Sequence, residues 1–203
     1  MARRHSPPPL SQDCALFLDL DGTLLDLAST PERVRVGPDI AALLPALAGA
    51  LDGAIALITG RAIVDVDRLF PAMTLPVAGQ HGCERRAADG TRHVHAPANT
   101  GIESLRDGMD RLAARYPGLL LEDKGSTLAV HYRRAPRLAG YVHRAVRARL
   151  KMAIAAGATL QLQTGKGVVE IKPDGRDKGT AILDFMAEPP FAGRTPVDRK
   201  SVV

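Results

Sequence analysis

The first 85 residues alternate between short apolar runs and longer segments in which apolar and polar residues mix. The apolar runs lie at 15–18, 54–58 and 75–78, and their short length and polar or glycine flanks are typical of buried strands. The segments between them at 38–50 and 61–70 are predicted to be helices. This alternation of strands and helices predicts a parallel sheet connected by right-handed crossovers.

The pattern changes near residue 86, where polar strands and longer helices follow. The polar segment 84–95 predicts one or two antiparallel strands. Further helices are predicted at 102–116, 137–156 and 178–187, and further strands at 119–122, 127–133, 159–163 and 168–172. We therefore predict an α/β fold in which an α+β domain, the insert (86–173), interrupts a core formed by 13–85 and 174–197.

Composition restricts the classes of function. The chain of 203 residues is 45% hydrophobic, and no apolar run approaches the roughly 20 residues that span a bilayer. The net charge of +5 comes from arginines spread along predicted helices without aromatic side chains for stacking on bases. These features favour a small-molecule partner over nucleic acid or a membrane, and they leave any partner protein unknown.

The amino terminus and the cysteines indicate a cellular location. Residues 1–12 are basic and proline-rich but lack the apolar centre of a secretory signal, so we predict a disordered leader. Cys14 and Cys83 form no CxxC pair, and we expect both to be free thiols. A reducing cytoplasm fits this use of cysteine.

Two carboxylates follow the first predicted strand. Asp19 and Asp21 are separated by one residue and precede Gly22, where the chain can turn. Ligands of parallel sheets bind beyond the carboxyl ends of the strands, and paired carboxylates there are costly without a cation or a reaction that uses them. The alternative is an ordinary Asp-rich turn. A carboxylate that attacks phosphorus, a second that transfers protons, and Mg²⁺ on their oxygens would together hydrolyse a phosphate ester.

Three segments resemble the motifs of the haloacid-dehalogenase (HAD) superfamily of phosphotransferases: DLDGTLL at 19–25, LITGR at 57–61 and IKPDGRDKG at 171–179. The resemblance implies a Rossmann-like core with an inserted cap domain. It implies that Asp19 is the nucleophile and Asp21 the acid and base, with Mg²⁺ held by the Asp19 carboxylate and the Asp21 carbonyl. Thr59 and Lys178 would bind the phosphoryl group, although Thr-Gly taken alone is more often a plain turn and an exposed lysine a surface charge.

Further segments resemble the trehalose-6-phosphate phosphatases: GQHG at 79–82, EDKG and HYR within 122–133, and GKGVVEIKP at 165–173. This resemblance implies hydrolysis of trehalose 6-phosphate, the last step of trehalose biosynthesis. On a strand, Lys166, Val168, Glu170 and Lys172 would share one face, so that Lys166 and Glu170 could converge on a ligand. Exposed hairpin charges are the alternative for these residues, and His81 could equally be a core or hinge histidine. The implied substrate-binding residues are Gly60, Arg61, Gln80, His81, Gly82, Glu122, Lys124, Arg133, Lys166 and Glu170.

One part of the family pattern is missing from the sequence. HAD proteins have a fourth, acidic motif after another apolar strand, but here the segment 191–197 is followed by DRKSVV at 198–203. We hypothesise that the sequence is truncated and that 198–203 is a non-native tail resembling a translated sequencing adapter. We then expect the sheet to lack a strand beside the first one and the phosphatase activity to be impaired. Alternatives are a phosphatase of sucrose phosphate or a hexose phosphate, a non-catalytic sugar-phosphate-binding module, or an inert fragment.

Overall fold

The computed structural model describes residues 11–26, 28, 33–95 and 100–199. Most of the predicted leader and residues 200–203 of the predicted tail lie outside this part of the chain. The strands are β1 (Cys14–Leu18), β2 (Ile55–Ile58), β3 (Val77–Gly79), β4 (Glu84–Arg86), β5 (Arg92–Val94), β6 (Leu120–Asp123), β7 (Leu128–His131), β8 (Leu160–Gly165), β9 (Val168–Pro173) and β10 (Thr195–Arg199). The helices are α1 (Pro38–Ala50), α2 (Ile63–Leu69), α3 (Glu103–Arg115), α4 (Ala139–Ala155) and α5 (Lys178–Met186).

The core sheet has six strands in the order β10-β1-β2-β3-β4-β5. Strands β10, β1, β2 and β3 pair in parallel, as the alternation of strands and helices predicts. Every residue of β1, β2 and β3 is buried, which explains why these strands read as continuous apolar runs. Their carboxyl ends lie at the same edge of the sheet, where Asp19 and Thr59 follow β1 and β2.

Two features of the core sheet differ from the expectations. Strand β5 extends this sheet by pairing antiparallel with β4, although residues 92–94 are predicted to belong to the insert. The prediction that the sheet lacks a strand beside the first one is wrong, because β10 pairs in parallel with β1 from Thr195 to Arg199. The five residues of β10, TPVDR, have little apolar character, so no local pattern predicts this strand.

The insert sheet has four antiparallel strands in the order β6-β7-β9-β8. Helix α3 contacts β6 and β7, and helix α4 contacts β8 and β9. Leu105, Met109 and Leu112 recur at helical spacing along α3 and are buried in a second hydrophobic cluster. The core has its own cluster around β1, β2 and α5, so each sheet buries a separate set of apolar side chains.

Helix α5 returns the chain to the core sheet. Its first turn is closed by a capping box, in which the Asp177 carboxylate accepts from the Thr180 backbone N–H and the Thr180 hydroxyl accepts from the Asp177 N–H. Phe185 in this helix packs with Phe17 of β1 and with Phe191. This packing holds the last turn of α5 against the carboxyl-terminal half of β1. Within the described residues, no helix is long and apolar enough to cross a membrane.

Candidate active site

A cavity of about 610 Å³ opens between the core sheet and the insert sheet. Most of the site residues predicted from the sequence line it, from both sheets. They are Asp19, Asp21, Gly60, Arg61, His81 and Lys178 from the core, and Glu122, Lys124, Arg133, Lys166 and Glu170 from the insert. Thr59, Gln80 and Gly82 do not line it.

The two carboxylates after β1 lie at the core side of the cavity, each against a cationic side chain. Asp19 is buried, with its Oδ2 2.7 Å from Lys178 Nζ. Arg61 donates from Nε and Nη2 to the two oxygens of Asp21, at 2.8 and 2.7 Å. A positive φ of 80° at Gly22 turns the chain directly after Asp21. The structure thus brings together four residues that are up to 159 positions apart in the sequence.

Thr59 lies under the cavity. It is 1% exposed, and its Oγ1 accepts a hydrogen bond from the Arg61 backbone N–H at 3.1 Å. Its hydroxyl therefore fixes the loop after β2 that carries Arg61. The predicted contact between Thr59 and a phosphoryl group stays a prediction.

The segment 80–82 forms a short 3₁₀ turn in which only His81 reaches the cavity. The buried Gln80 side chain donates to Glu84 at 3.1 Å. Gly82 packs so closely that a Cβ there would lie 2.6 Å from the Asp177 carbonyl oxygen. Gln80 and Gly82 therefore support the turn that presents His81.

Glu170 is the most deeply buried acid of the cavity, with 5% of its surface exposed. Its Oε1 accepts from Thr127 at 2.8 Å and from Lys124 at 3.1 Å, and its Oε2 lies 2.9 Å from His81 Nε2. Burial alone would raise the pKa of Glu170, but the hydrogen bond from His81 and the Lys124 charge hold this pKa far below its usual range. Lys124 also donates to the Gly60 carbonyl at 2.9 Å, which links the insert to the core.

Glu122 lies beside Lys124 on the insert side. Its Oε2 is 2.7 Å from His131 Nε2 and 3.9 Å from Lys124 Nζ. Burial would raise the pKa of Glu122, but the hydrogen bond from His131 and the charge of Lys124 outweigh it and lower this pKa. Glu122 and Glu170, the two acids of the insert that line the cavity, are therefore carboxylates at neutral pH and accept hydrogen bonds.

Arg133 contacts backbone carbonyl oxygens from both parts of the fold. Its Nε donates to the Lys166 carbonyl at 2.9 Å, and its Nη1 donates to the Ala28 carbonyl at 2.7 Å. Gly167 permits this arrangement, because a Cβ there would lie 2.2 Å from Arg133 Cγ. Arg133 thus fixes the turn that carries Lys166.

The shared strand face expected for Lys166, Glu170 and Lys172 is only partly present. Lys166 lies in the turn between β8 and β9, outside either strand, yet it lines the same cavity as Glu170. Lys172 is 2% exposed and donates to the Arg176 carbonyl at 2.7 Å, away from the cavity. Because β9 begins only at Val168, the alternation of side chains between the two faces of the strand does not reach Lys166.

Further side chains that were not predicted from the sequence also line the cavity, among them His131, Gln163 and Asp177. His131 belongs to the HYR segment, so the sequence indicated this residue too, but a binding role was predicted for Arg133 alone. Gln163 lies on β8 together with Gln161, and no sequence pattern indicates which of these two glutamines lines the cavity. Only the pairing of β8 with β9 brings Gln163 beside Glu170.

The carboxylate oxygens at the core side of the cavity suit a magnesium ion that is held by few protein ligands. Within the described ranges, no group of three or more His, Cys, Asp or Glu side chains is placed to hold a metal ion. Asp19 and Asp21 nevertheless offer carboxylate oxygens at one edge of the sheet. Mg²⁺ keeps several waters and is commonly held by one or two carboxylates together with the phosphate of a substrate.

The trehalose-phosphatase family profile matches residues 17–199. The chain is 45% identical over 181 residues to the probable trehalose-phosphate phosphatase of Sinorhizobium fredii, covering 89% of this chain and 66% of that protein. It is 44% identical over 192 residues to trehalose-6-phosphate phosphatase of Escherichia coli, covering 94% of this chain and 70% of that protein. The chain therefore spans about two thirds of the length of these relatives.

A solved structure supports the fold. The C-terminal domain of Candida albicans trehalose-6-phosphate phosphatase matches with a TM-score of 0.79 and 22% identity, covering 91% of this chain and 65% of that chain. Likeness at this level of identity concerns the architecture. The predicted HAD-like fold, with a parallel core sheet and an inserted domain, is confirmed.

Proposed function

The chain belongs to the trehalose-phosphatase family, and on this premise we propose that its cavity hydrolyses trehalose 6-phosphate to trehalose and phosphate. The observation that carries the proposal is the shared cavity of Asp19, Lys178, Glu122 and Lys124. Groups suited to phosphoryl transfer lie at its core side, and groups suited to sugar hydroxyls lie at its insert side. A phosphorylated sugar is the substrate class that uses both.

The reaction follows from the chemistry of the two carboxylates. An oxygen of Asp19 attacks phosphorus, and the bond from phosphorus to the sugar oxygen breaks. The leaving sugar oxygen takes a proton from Asp21, which leaves trehalose and an aspartyl phosphate. Asp21 then takes a proton from water as the water oxygen attacks phosphorus, which releases phosphate and restores the Asp19 carboxylate.

We assign Mg²⁺ to the core side, where Asp19 and Asp21 would hold it. When bound, the ion offsets the negative charge of the phosphoryl oxygens and so favours attack by an anionic carboxylate. Lys178 supplies a further positive charge from the first residue of α5, at the positive end of the helix dipole. Arg61 would fix the orientation of the Asp21 carboxylate through its two hydrogen bonds.

The insert supplies the recognition of the sugar. Glu122 accepts and Lys124 donates charge-assisted hydrogen bonds, which match the many hydroxyl groups of trehalose. Both side chains are mostly buried, so water would weaken their hydrogen bonds to the sugar only slightly. The cytoplasm is the location we propose, since the two cysteines are free thiols in the described structure.

The proposal is tested by phosphate release in the presence of Mg²⁺. We expect turnover of trehalose 6-phosphate to exceed that of sucrose 6-phosphate and glucose 6-phosphate. Equal turnover of the three would contradict recognition of trehalose by the insert. Saturable binding of trehalose 6-phosphate without phosphate release would instead favour a binding module. The impaired phosphatase activity expected of this chain stays a prediction. A comparison with a longer family member in the same assay tests it.

Replacing Lys178 by methionine is expected to lower kcat about 10²–10³-fold, because one charge aimed at the transferring phosphoryl group is lost. The methylene chain is kept, so packing at the start of α5 should be preserved. The measurement is steady-state phosphate release from trehalose 6-phosphate. Lys151→Met on the exposed face of α4 is the matched control and should retain full activity. Equal losses in both variants would contradict the role of Lys178.

A further inference from the structure

The two helices of the insert lie on the face of its sheet that points away from the active-site cavity. Leu128 and Val130 of β7 belong to the hydrophobic cluster that includes side chains of α3 and α4, whereas Ala129 and His131 of the same strand line the cavity. The insert sheet therefore separates the outer surface of α3 and α4 from the cavity.

A second cavity, which we call the outer groove, lies between α3 and α4 and has a volume of about 550 Å³. Pockets that bind small ligands commonly measure roughly 300–1,000 Å³, so the outer groove has the size of a small-molecule site. The residues that line it are Arg111, Leu112, Ala114, Arg115, Tyr141 and Arg149.

The three arginines of the outer groove lie along successive turns of α3. Arg111 and Arg115 are four positions apart, so their side chains leave the same face of the helix. Arg149 reaches α3 from α4 at Gly108, where a Cβ would lie 3.3 Å from Arg149 Nε. One turn of a helix rises about 5.4 Å, so three positive charges follow one another along the groove.

Gly108 makes room for one of these charges. It lies in the interior of α3, where glycine is less favourable than alanine by roughly 1 kcal/mol. A Cβ at this position would also lie 3.5 Å from Arg149 Cδ. The guanidinium of Arg149 is held beside the glycine by a hydrogen bond from its Nη1 to the Ala145 carbonyl, at 3.1 Å.

The arginines of the outer groove have no acidic partners among the described residues. Arg106 of α3 forms a salt bridge with Glu103, but in the part of the chain that the structure describes no salt bridge joins Arg111, Arg115 or Arg149 to a carboxylate. Helix α4 contains no Asp or Glu in its 17 residues. A concave surface of one sign of charge attracts ligands of the opposite sign.

Tyr141 forms the end of the outer groove that is nearest to Arg115. Its ring packs edge-on against Tyr116, with 5.0 Å between the centroids. The Arg115 guanidinium lies over the Tyr116 ring at 5.7 Å from its centroid. These ring contacts place Arg115 and Tyr141 side by side.

We propose that the outer groove binds a small linear polyphosphate, either inorganic or attached to a nucleoside. Guanidinium groups bind phosphoryl oxygens through paired N–H donors. A linear polyphosphate carries its negative charges in a row, as the groove carries its positive charges. The ligand would lie behind the insert sheet, so it would leave the cavity that we assign to the sugar phosphate free.

The first test measures the binding of tripolyphosphate by isothermal titration calorimetry, at low ionic strength and without Mg²⁺. We expect saturable binding to the native chain. Arg111→Gln and Arg149→Gln should each weaken this binding about tenfold, because each variant loses charge-assisted hydrogen bonds. The two substitutions together should abolish measurable binding, while circular dichroism should remain that of the native chain.

Arg147→Gln is the matched control for these variants. Arg147 is exposed on α4 and does not line the outer groove, so the variant loses the same charge from the same surface. Its affinity for tripolyphosphate should equal that of the native chain. An equal loss of affinity in Arg147→Gln and Arg149→Gln would reveal nonspecific attraction to a basic helix and would overturn the proposal.

Lys178→Met separates the outer groove from the active-site cavity, which also contains positive charges. We expect this variant to retain the binding that Arg111→Gln and Arg149→Gln lose. Binding that is lost in Lys178→Met and kept in both arginine variants would place the polyphosphate in the active-site cavity and would contradict the proposal. This test needs no turnover, so it is independent of the proposed function.

A comparison of tripolyphosphate with adenosine triphosphate distinguishes the two sources of the phosphate chain. Equal affinities would support recognition of the phosphate chain alone. Tighter binding of adenosine triphosphate, lost in Arg111→Gln, would support a nucleoside ligand whose base contacts the Tyr141 ring. Absence of saturable binding of both anions to the folded native chain would overturn the proposal.

Discussion

Replacing Asp19 by asparagine is expected to reduce phosphate release from trehalose 6-phosphate by about 10⁴-fold or more, to the background rate. The amide is nearly the same size as the carboxylate but is a far weaker nucleophile, so the aspartyl phosphate cannot form. The contact with Lys178 loses its charge, yet the buried strand before Asp19 is unchanged. Steady-state assays with excess trehalose 6-phosphate and Mg²⁺ measure the effect.

Asp13→Asn is the matched control for this prediction. Asp13 immediately precedes β1 and is exposed, so the same substitution there should leave turnover unchanged. Circular dichroism of Asp19→Asn should match that of the native chain. Substantial turnover by a folded Asp19→Asn protein would rule out covalent catalysis by Asp19 and indicate direct attack by water.

Replacing Phe17 by alanine is expected to lower the free energy of unfolding by about 3–5 kcal/mol. Phe17, the fourth of the five residues of β1, is 0% exposed, and its ring stacks on Phe191 at 5.6 Å between centroids and lies 6.1 Å from Phe185. The rings connect β1 to α5 and to the segment before β10. Loss of the Phe17 ring leaves a cavity among groups that cannot all move to fill it. Urea denaturation followed by circular dichroism measures the change.

Leu183→Ala in α5 provides the comparison for Phe17→Ala. Leu183 is 70% exposed two residues before Phe185, and its truncation should change the free energy of unfolding by less than about 0.5 kcal/mol. A similarly small effect in Phe17→Ala would contradict the packing of the aromatic cluster. Because β1 ends one residue before Asp19, we also expect Phe17→Ala to weaken activity near its unfolding midpoint.

The elements that the sequence predicted best are those whose pattern is fully local. The prediction of a helix at 38–50 coincides with α1, and the long helix predicted at 137–156 contains α4, because length and apolar spacing identify a helix without reference to its partners. The strand β10 was missed because its pairing with β1 involves residues about 180 positions apart. Its five residues, TPVDR, have little apolar character of their own.

The sequence by itself predicted the charged residues that line this cavity: the acids after β1, the lysine that begins α5, and the charged residues of the insert. It did so because each of these lies in a short motif whose residue types are adjacent in the chain. Only the tertiary structure decided which of these groups meet, such as Arg61 with Asp21, and Glu170 with His81. It also revealed Gln163, whose place in the cavity depends on the register of β8 against β9 and on the placement of the insert over the core. Such contacts depend on packing between distant segments, which no local pattern of residues encodes.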